Sequence, residues 1–194
     1  YEVFKKIKNI PGSIIECGVF KGTSFSRFAM LRELIGNKKK NKLVAFDVFS
    51  DEFPNTNFQN EKIQRKHWIK TAGGSSISTN QIDKIFKKKK IENYELIKGD
   101  VLKTIPKFIK NNPKLKISLL NIDIDFVETT QCVLDNFYDK VVKGGIVLFD
   151  NYQGVGTGGT FYKGETDTIN KFLKKINKKV IKFPFFNRPS YIIK

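Results

Sequence analysis

The segment Asn121-Ile122-Asp123-Ile124-Asp125 carries two carboxylates two residues apart. On an extended segment that spacing puts both side chains on one face. Like charges that close are costly unless a cation or a proton offsets them. A second segment, Phe149-Asp150-Asn151-Tyr152, adds another carboxylate and an amide oxygen. Asp123, Asp150 and Asn151 make a set of hard oxygen donors that suits Mg2+ or a similar divalent ion. The alternative is that these acids cap the helices that follow or pair with lysines.

A second constellation precedes it. In Glu16-Cys17-Gly18-Val19-Phe20-Lys21-Gly22-Thr23-Ser24, two glycines allow a tight turn and a close approach of backbone to a ligand. The dinucleotide fingerprint G-x-G-x-x-G is absent, which counts against a nicotinamide-dependent oxidoreductase. An acid at position 16 is a poor neighbour for a pyrophosphate, but it suits a nucleoside with a cationic amino-acid part, and S-adenosylmethionine is one. Asp47 ends the next apolar run and could accept hydrogen bonds from both ribose hydroxyls. Gly99-Asp100-Val101 follows the third run, where a carboxylate could meet an adenine amino group. The candidate cofactor residues are therefore Glu16, Gly18, Gly22, Thr23, Ser24, Asp47 and Asp100, with Asp123 at the neighbouring tip. Singly, each acid could as well be a helix cap.

These residues need elements to hold them. Short runs rich in Ile, Val and Leu predict strands at Ser13 to Glu16, Leu43 to Asp47, Tyr94 to Ile97, Ile117 to Ile122 and Gly145 to Phe149. Helical patterns fall between them, at Thr23 to Ile35 with Gly36 as its stop, Ser78 to Lys89, Ile105 to Lys110, Glu128 to Tyr138 and Thr168 to Ile176. Val180 to Phe183 and Ser190 to Ile193 read as a closing pair of strands. Strands alternating with helices imply a parallel sheet covered on both faces, with ligands at the carboxyl ends of the strands. Ser50 to Ser76 and Gln153 to Gly164 read as long loops flanking that end. No repeat and no domain boundary is visible, so residues 1–194 read as a single domain.

Other residues have two readings. His67, the single histidine, lies in the first long loop and could reach a substrate or simply pack beside Trp68. Gly73-Gly74-Ser75-Ser76 could cradle a phosphate or form a plain turn. Glu165 and Asp167 could contact substrate or cap the last helix.

Composition narrows the classes. The 194 residues are 40% hydrophobic with 18 Phe, enough for a core without disulfides. Cys17 and Cys132 match no zinc spacing and read as reduced thiols, as in a cytoplasmic protein. No apolar run approaches the ~20 residues that span a bilayer, and no signal peptide is seen. The net charge of +17 comes from scattered lysine bursts without interleaved aromatics. That reads as solvated faces rather than a nucleic-acid surface. The charge is nonetheless the basis of an alternative, a nucleic-acid-binding or RNA-modifying protein.

Taken together, the Glu16 to Ser24 turn, Phe46-Asp47-Val48-Phe49, Asp123-Ile124-Asp125 with Glu128-Thr129-Thr130, and Gly144-Gly145-Ile146-Val147-Leu148-Phe149-Asp150-Asn151-Tyr152 resemble the macrocin O-methyltransferase family. The resemblance runs from about Ile14 to Tyr152. It implies a single Rossmann-like, doubly wound α/β sheet of the class I methyltransferase type, mostly parallel with a C-terminal antiparallel strand. It further implies S-adenosylmethionine and a divalent metal as cofactors, and a sugar or nucleotide-sugar hydroxyl as acceptor. It leaves room for a homo-oligomer. By similarity, Asp123, Asp150 and Asn151 would hold the metal and Asp125 would be the general base. Where the family usually has two adjacent acids this chain has Asp150-Asn151, so the site has one charge fewer. A protein that binds S-adenosylmethionine without turnover is the remaining alternative.

Overall fold

The computed structural model describes residues 1–35, 40–50, 56–72, 75–153, 163–184 and 186–194, with the backbone alone at Asn187. Seven strands form one sheet in the order β3-β2-β1-β4-β5-β7-β6. They are β1 Ser13–Cys17, β2 Leu43–Asp47, β3 Tyr94–Lys98, β4 Ile117–Ile122, β5 Val141–Phe149, β6 Ile181–Phe183 and β7 Phe186–Ile193. The first five are parallel; β7 runs antiparallel to β5, and β6 antiparallel to β7. The alternation of neighbours about β1, with β2 on one side and β4 on the other, opens a crevice at the strands' carboxyl ends.

Side-chain parity along the strands sorts the core into two layers. Ile15, Val44, Phe46, Leu120 and Ile122 face α5 (Val101–Asn111), α6 (Val127–Phe137) and α7 (Lys163–Lys175). Their alternates Ile14, Leu43, Ala45 and Leu119 face α1 (Glu2–Ile7), α2 (Thr23–Ile35) and α4 (Thr79–Lys88). Phe46 is fully buried, edge-on to Phe108 at 5.2 Å between ring centres and tilted against Phe137. Truncating such a side chain costs about 3–5 kcal/mol.

Several boundaries follow the sequence reading, but β5 starts at Val141 rather than Gly145, β7 at Phe186 rather than Ser190, and α7 at Lys163 rather than Thr168. The third helix of that reading begins at Val101 instead of Ile105, because the Asp100 carboxylate accepts from Leu102 N at 2.9 Å and caps it. Pro106 then falls inside the helix, forgoing one bond to the preceding turn. The stretch expected to be a loop from Ser50 to Ser76 contains a helix, α3 (Gln59–Thr71). Its sequence lacked an apolar stripe because the residue it buries is Glu61. The short α1 has no signature in the sequence either; six residues are too few to show a period. The helix stop at Gly36, the glycine pair Gly73-Gly74 and the glycines from Gly154 to Gly159 lie outside the described residues.

Candidate active site

At the cofactor end, β1 gives way to a turn pressed against β4. Gly18 N donates to Phe46 O, and Asp123 N donates to Cys17 O, both at 2.9 Å. Gly18 has φ +89°, and a Cβ there would lie 1.8 Å from the Asp123 carbonyl oxygen, so only glycine fits. The turn is braced from β2. Asp47 Oδ2 accepts from Val19 N at 2.6 Å and Phe20 N at 3.0 Å, and its Oδ1 from Phe49 N at 2.9 Å. Phe20 and Phe49 both hold left-handed backbone, with φ +46° and +48°. One carboxylate thus fixes two strained turn tips.

Glu16 lies beneath the turn. It is fully buried, opposite Asn121 in the β1–β4 register, and accepts from Asn121 Nδ2 at 2.9 Å. Burial pushes its carboxyl up to about 8, tempered by the Ser24 and Asn121 side chains. The expected contact of Glu16 with a cationic ligand is therefore not made from the cavity wall. Parity on β1 turns its side chain toward α2, and Gly18 occupies the wall instead.

At the other end, Asp123 and Asp125 follow β4, and Asp150 and Asn151 follow β5. The Asn151 amide nitrogen donates to Asp125 Oδ1 at 3.0 Å and sits 3.4 Å from Asp123 Oδ1. Arg188, from β7, donates to Asn151 Oδ1 at 2.8 Å and lies 3.8 Å from Asp150 Oδ2. Glu165, in the first turn of α7, is fully buried behind them. All four carboxyls are pushed upward, in each case mainly by desolvation. Asp125 rises to about 7, with Asp150 adding to burial and Arg188 opposing it. Asp123 rises well above its ordinary value, next through Asp150 and Asp125. Asp150 rises less, held down by Arg188 and by Asp123.

This set fits a hard divalent ion in donor chemistry and in charge: Asp123, Asp125 and Asp150 share the cavity wall with one guanidinium, and both oxygens of Glu165, buried off that wall, lack a hydrogen-bond partner. Among the described residues, no three Asp, Glu, His or Cys side chains are already gathered about a single metal-binding point.

A cavity of about 550 Å³ joins the two ends. Gly18, Asp47, Asp100, Asp123, Asp125, Asp150 and Asn151 line it; Glu16, Gly22, Thr23 and Ser24 do not. Its roof is the unforeseen α3, which contributes Gln64, Arg65, His67, Trp68 and Thr71. Positions 64, 68 and 71 share a helical face, but Gln64 and Thr71 are polar, so that face carries no hydrophobic period in the sequence. Trp68 packs against Phe20 at 5.3 Å, tying roof to turn. His67 thus stands on the cavity wall rather than away from it. Asp167 is a surface residue paired with Lys163 at 2.5 Å. Nothing in the local sequence marks Arg188, which also lines the cavity. It lies far along the chain from Asp125, and the β6–β7 hairpin brings it back.

A sequence model described as macrocin-O-methyltransferase (TylF) matches residues 3–183. No curated protein sequence matches the chain. Among solved structures, the calicheamicin methyltransferase CalS11 superposes with TM-score 0.81 at 24% identity, covering 99% of this chain and 76% of that one. Its apo form is described as a TDP-rhamnose 3'-O-methyltransferase. The O-methyltransferase NovP gives TM-score 0.77 at 17% identity, over 100% of this chain and 78% of that one. The mycinamycin-pathway methyltransferase MycE, in complex with Mg, SAH and mycinamycin VI, gives 0.57 at 10% identity, over 100% and 47%. At these identities the likeness is one of fold.

Proposed function

This chain belongs to the macrocin O-methyltransferase family of S-adenosylmethionine-dependent enzymes, and from that premise we propose that it methylates a hydroxyl of a sugar or nucleotide sugar with the help of a divalent cation. The observation that carries this reading is the continuity of the cavity. Gly18, Asp47 and Asp100 border one end and Asp125 and Asp150 the other, so a methyl donor and an acceptor hydroxyl can meet inside it.

When bound, S-adenosylmethionine supplies an electrophilic methyl group, and a divalent ion supplies a Lewis acid for the acceptor oxygen. Asp123, Asp150 and the Asn151 amide oxygen would hold that ion. The braced turn at Gly18 and the Asp47 carboxylate would orient the nucleoside, with Asp100 toward its base. Asp125 takes the acceptor's proton; a carboxylate whose affinity for protons has risen to about 7 is matched to that work near neutral pH. The roof residues Arg65, His67 and Trp68 line the cavity, where they would cover the acceptor and exclude water. CalS11 and NovP, as O-methyltransferases, and MycE, with its Mg and SAH, support the reading by analogy of fold.

The test is methyl transfer from labelled S-adenosylmethionine to a panel of nucleotide sugars, with and without a chelator. Transfer to at least one, lost on chelation and restored by Mg2+, is expected. Binding of S-adenosylmethionine with no transfer to any sugar would overturn the acceptor assignment, and transfer indifferent to the chelator would overturn the metal.

A further inference from the structure

Glu165 is, among the described residues, a fully buried carboxyl that the mechanism above leaves unused. Its side chain has no exposure to solvent, and neither carboxylate oxygen has a partner at hydrogen-bonding geometry. Asp125, Asp123 and Asp150 are the charges that bear on it most, and the Asn151 amide lies near enough to temper them. Arg188, the cation nearest this cluster among the interactions described, is directed to Asn151 and Asp150. An ionised carboxylate without a partner is strongly disfavoured in such surroundings, so in the protein alone burial holds the group as the neutral acid, and only a cation can draw out its charge.

The fold also denies Glu165 an escape. Gln153 N donates to Thr166 Oγ1 at 3.0 Å, and Tyr152 Oη donates to Asn170 Oδ1 at 2.7 Å, so the first two turns of α7 are bonded to the residues just past Asn151. On the other side, a Cβ on Gly164 would come within 2.6 Å of Glu61 Oε1 and 2.8 Å of Val127 Cγ2. The helix start is thus wedged between the tip of β5 and the start of α6, and its carboxylate is held behind Asn151. The helix N-terminus favours a negative charge there but supplies no partner to either oxygen.

We infer that Glu165 is a member of the cation site: its carboxylate provides the negative charge that the neutral Asn151 does not, and a divalent ion is what satisfies its two orphaned oxygens. This rests on the metal-assisted reading of the same cavity, and it assigns to α7 a role in holding the ion. It also accounts for the balance of charge. Asp123, Asp125, Asp150 and Glu165 together carry four negative charges when ionised, against one on Arg188, a deficit that a divalent ion largely cancels.

The test is Mn2+ binding to the full chain, followed by electron paramagnetic resonance, with thermal unfolding measured in parallel. The wild type should bind Mn2+, and Glu165→Gln should bind it about tenfold or more weakly. Adding Asn151→Asp to the Glu165→Gln chain should recover most of that loss, because the charge is returned beside its former place. Without metal, Glu165→Gln should melt close to the wild type, since burial already holds the metal-free carboxyl neutral. Mn2+ should raise the melting temperature of the wild type more than that of the variant. Should Glu165→Gln fail to fold, Glu165→Ala gives the same comparison. Undiminished Mn2+ binding by a folded Glu165 variant would overturn this inference and leave the metal reading standing. Absence of Mn2+ binding by the wild type would overturn both.

Discussion

Arg188 donates to the side-chain oxygen of Asn151 at 2.8 Å, and so occupies the one lone-pair donor that residue 151 could offer a cation. The guanidinium is an internal counter-ion for the acid cluster, lowering Asp123, Asp125 and Asp150 alike. A divalent ion must compete with it. Arg188→Ala is therefore expected to tighten Mn2+ binding severalfold, by removing a like charge and freeing the Asn151 oxygen. Calorimetric titration of both chains checks this; weaker binding in the variant would mean that Arg188 supports the ion instead.

Asp125 sets the pH dependence. Its folded-state value is raised to about 7, chiefly by burial, and it must be unprotonated to accept a proton from the acceptor hydroxyl. Below that value the base is lost, so kcat/KM should rise with pH along a limb near 7 measured at low metal. A bound cation favours the carboxylate, so saturating Mg2+ should move the limb to lower pH. Asp125→Asn should cost on the order of 10²–10⁴ in turnover and abolish the limb, with S-adenosylmethionine binding retained. A limb that survives the substitution belongs to another group.

How much of this was legible depends on how local the cause is. β2 and β4 begin and end where the sequence places them, because Leu43–Asp47 and Ile117–Ile122 are apolar runs bounded by polar residues. The acids after β4 and β5 could be found because strand tips in such a sheet converge on one edge. Three things were hidden. α3 buries Glu61 rather than an apolar stripe, so it has no hydrophobic period to read. Glu61 satisfies itself by accepting from Val127 N at 2.7 Å and from the Thr56 hydroxyl, a tertiary arrangement with no local signal. Arg188 reaches the site through the β5–β7 pairing, which no short-range pattern announces. Glu16 shows a further limit: its place at a strand tip could be read locally, but the direction of its side chain, away from the cavity wall, depends on parity within β1.

Asp47 should be intolerant even of its isostere. Its two oxygens accept from three backbone amides, those of Val19, Phe20 and Phe49. Asparagine in its place must turn an NH2 group toward at least one of those N–H donors, where it cannot accept. Asp47→Asn is thus expected to weaken S-adenosylmethionine binding as much as Asp47→Ala does, on the order of 1–3 kcal/mol in each case. Calorimetry of the two variants decides it. Near-normal affinity in Asp47→Asn would show that the turn is held without the carboxylate.

Glu16 yields the last prediction, on stability alone, since it stands off the cavity wall. Its carboxyl is raised from 4.5 to about 8 in the folded chain, first of all by burial, with one oxygen unpartnered. The sign follows from proton counting. Between those two values the folded state keeps a proton that the unfolded chain has released, so raising the pH pulls toward the unfolded state. This contribution is fully present below about 4.5 and is lost as the pH climbs through 8, a change on the order of a few kcal/mol. Glu16→Gln removes the titration while keeping the shape. Its amide can leave a donor unpaired, but that penalty does not vary with pH, so the slope is the diagnostic and the offset is not. The melting temperature of Glu16→Gln relative to the wild type should therefore climb steadily from pH 5 to pH 8, while its affinity for S-adenosylmethionine stays near normal. Parallel melting curves across that range would mean that Glu16 is ionised in the folded protein and is matched by a cation there. A loss of cofactor affinity at constant stability would mean that it reaches the ligand after all.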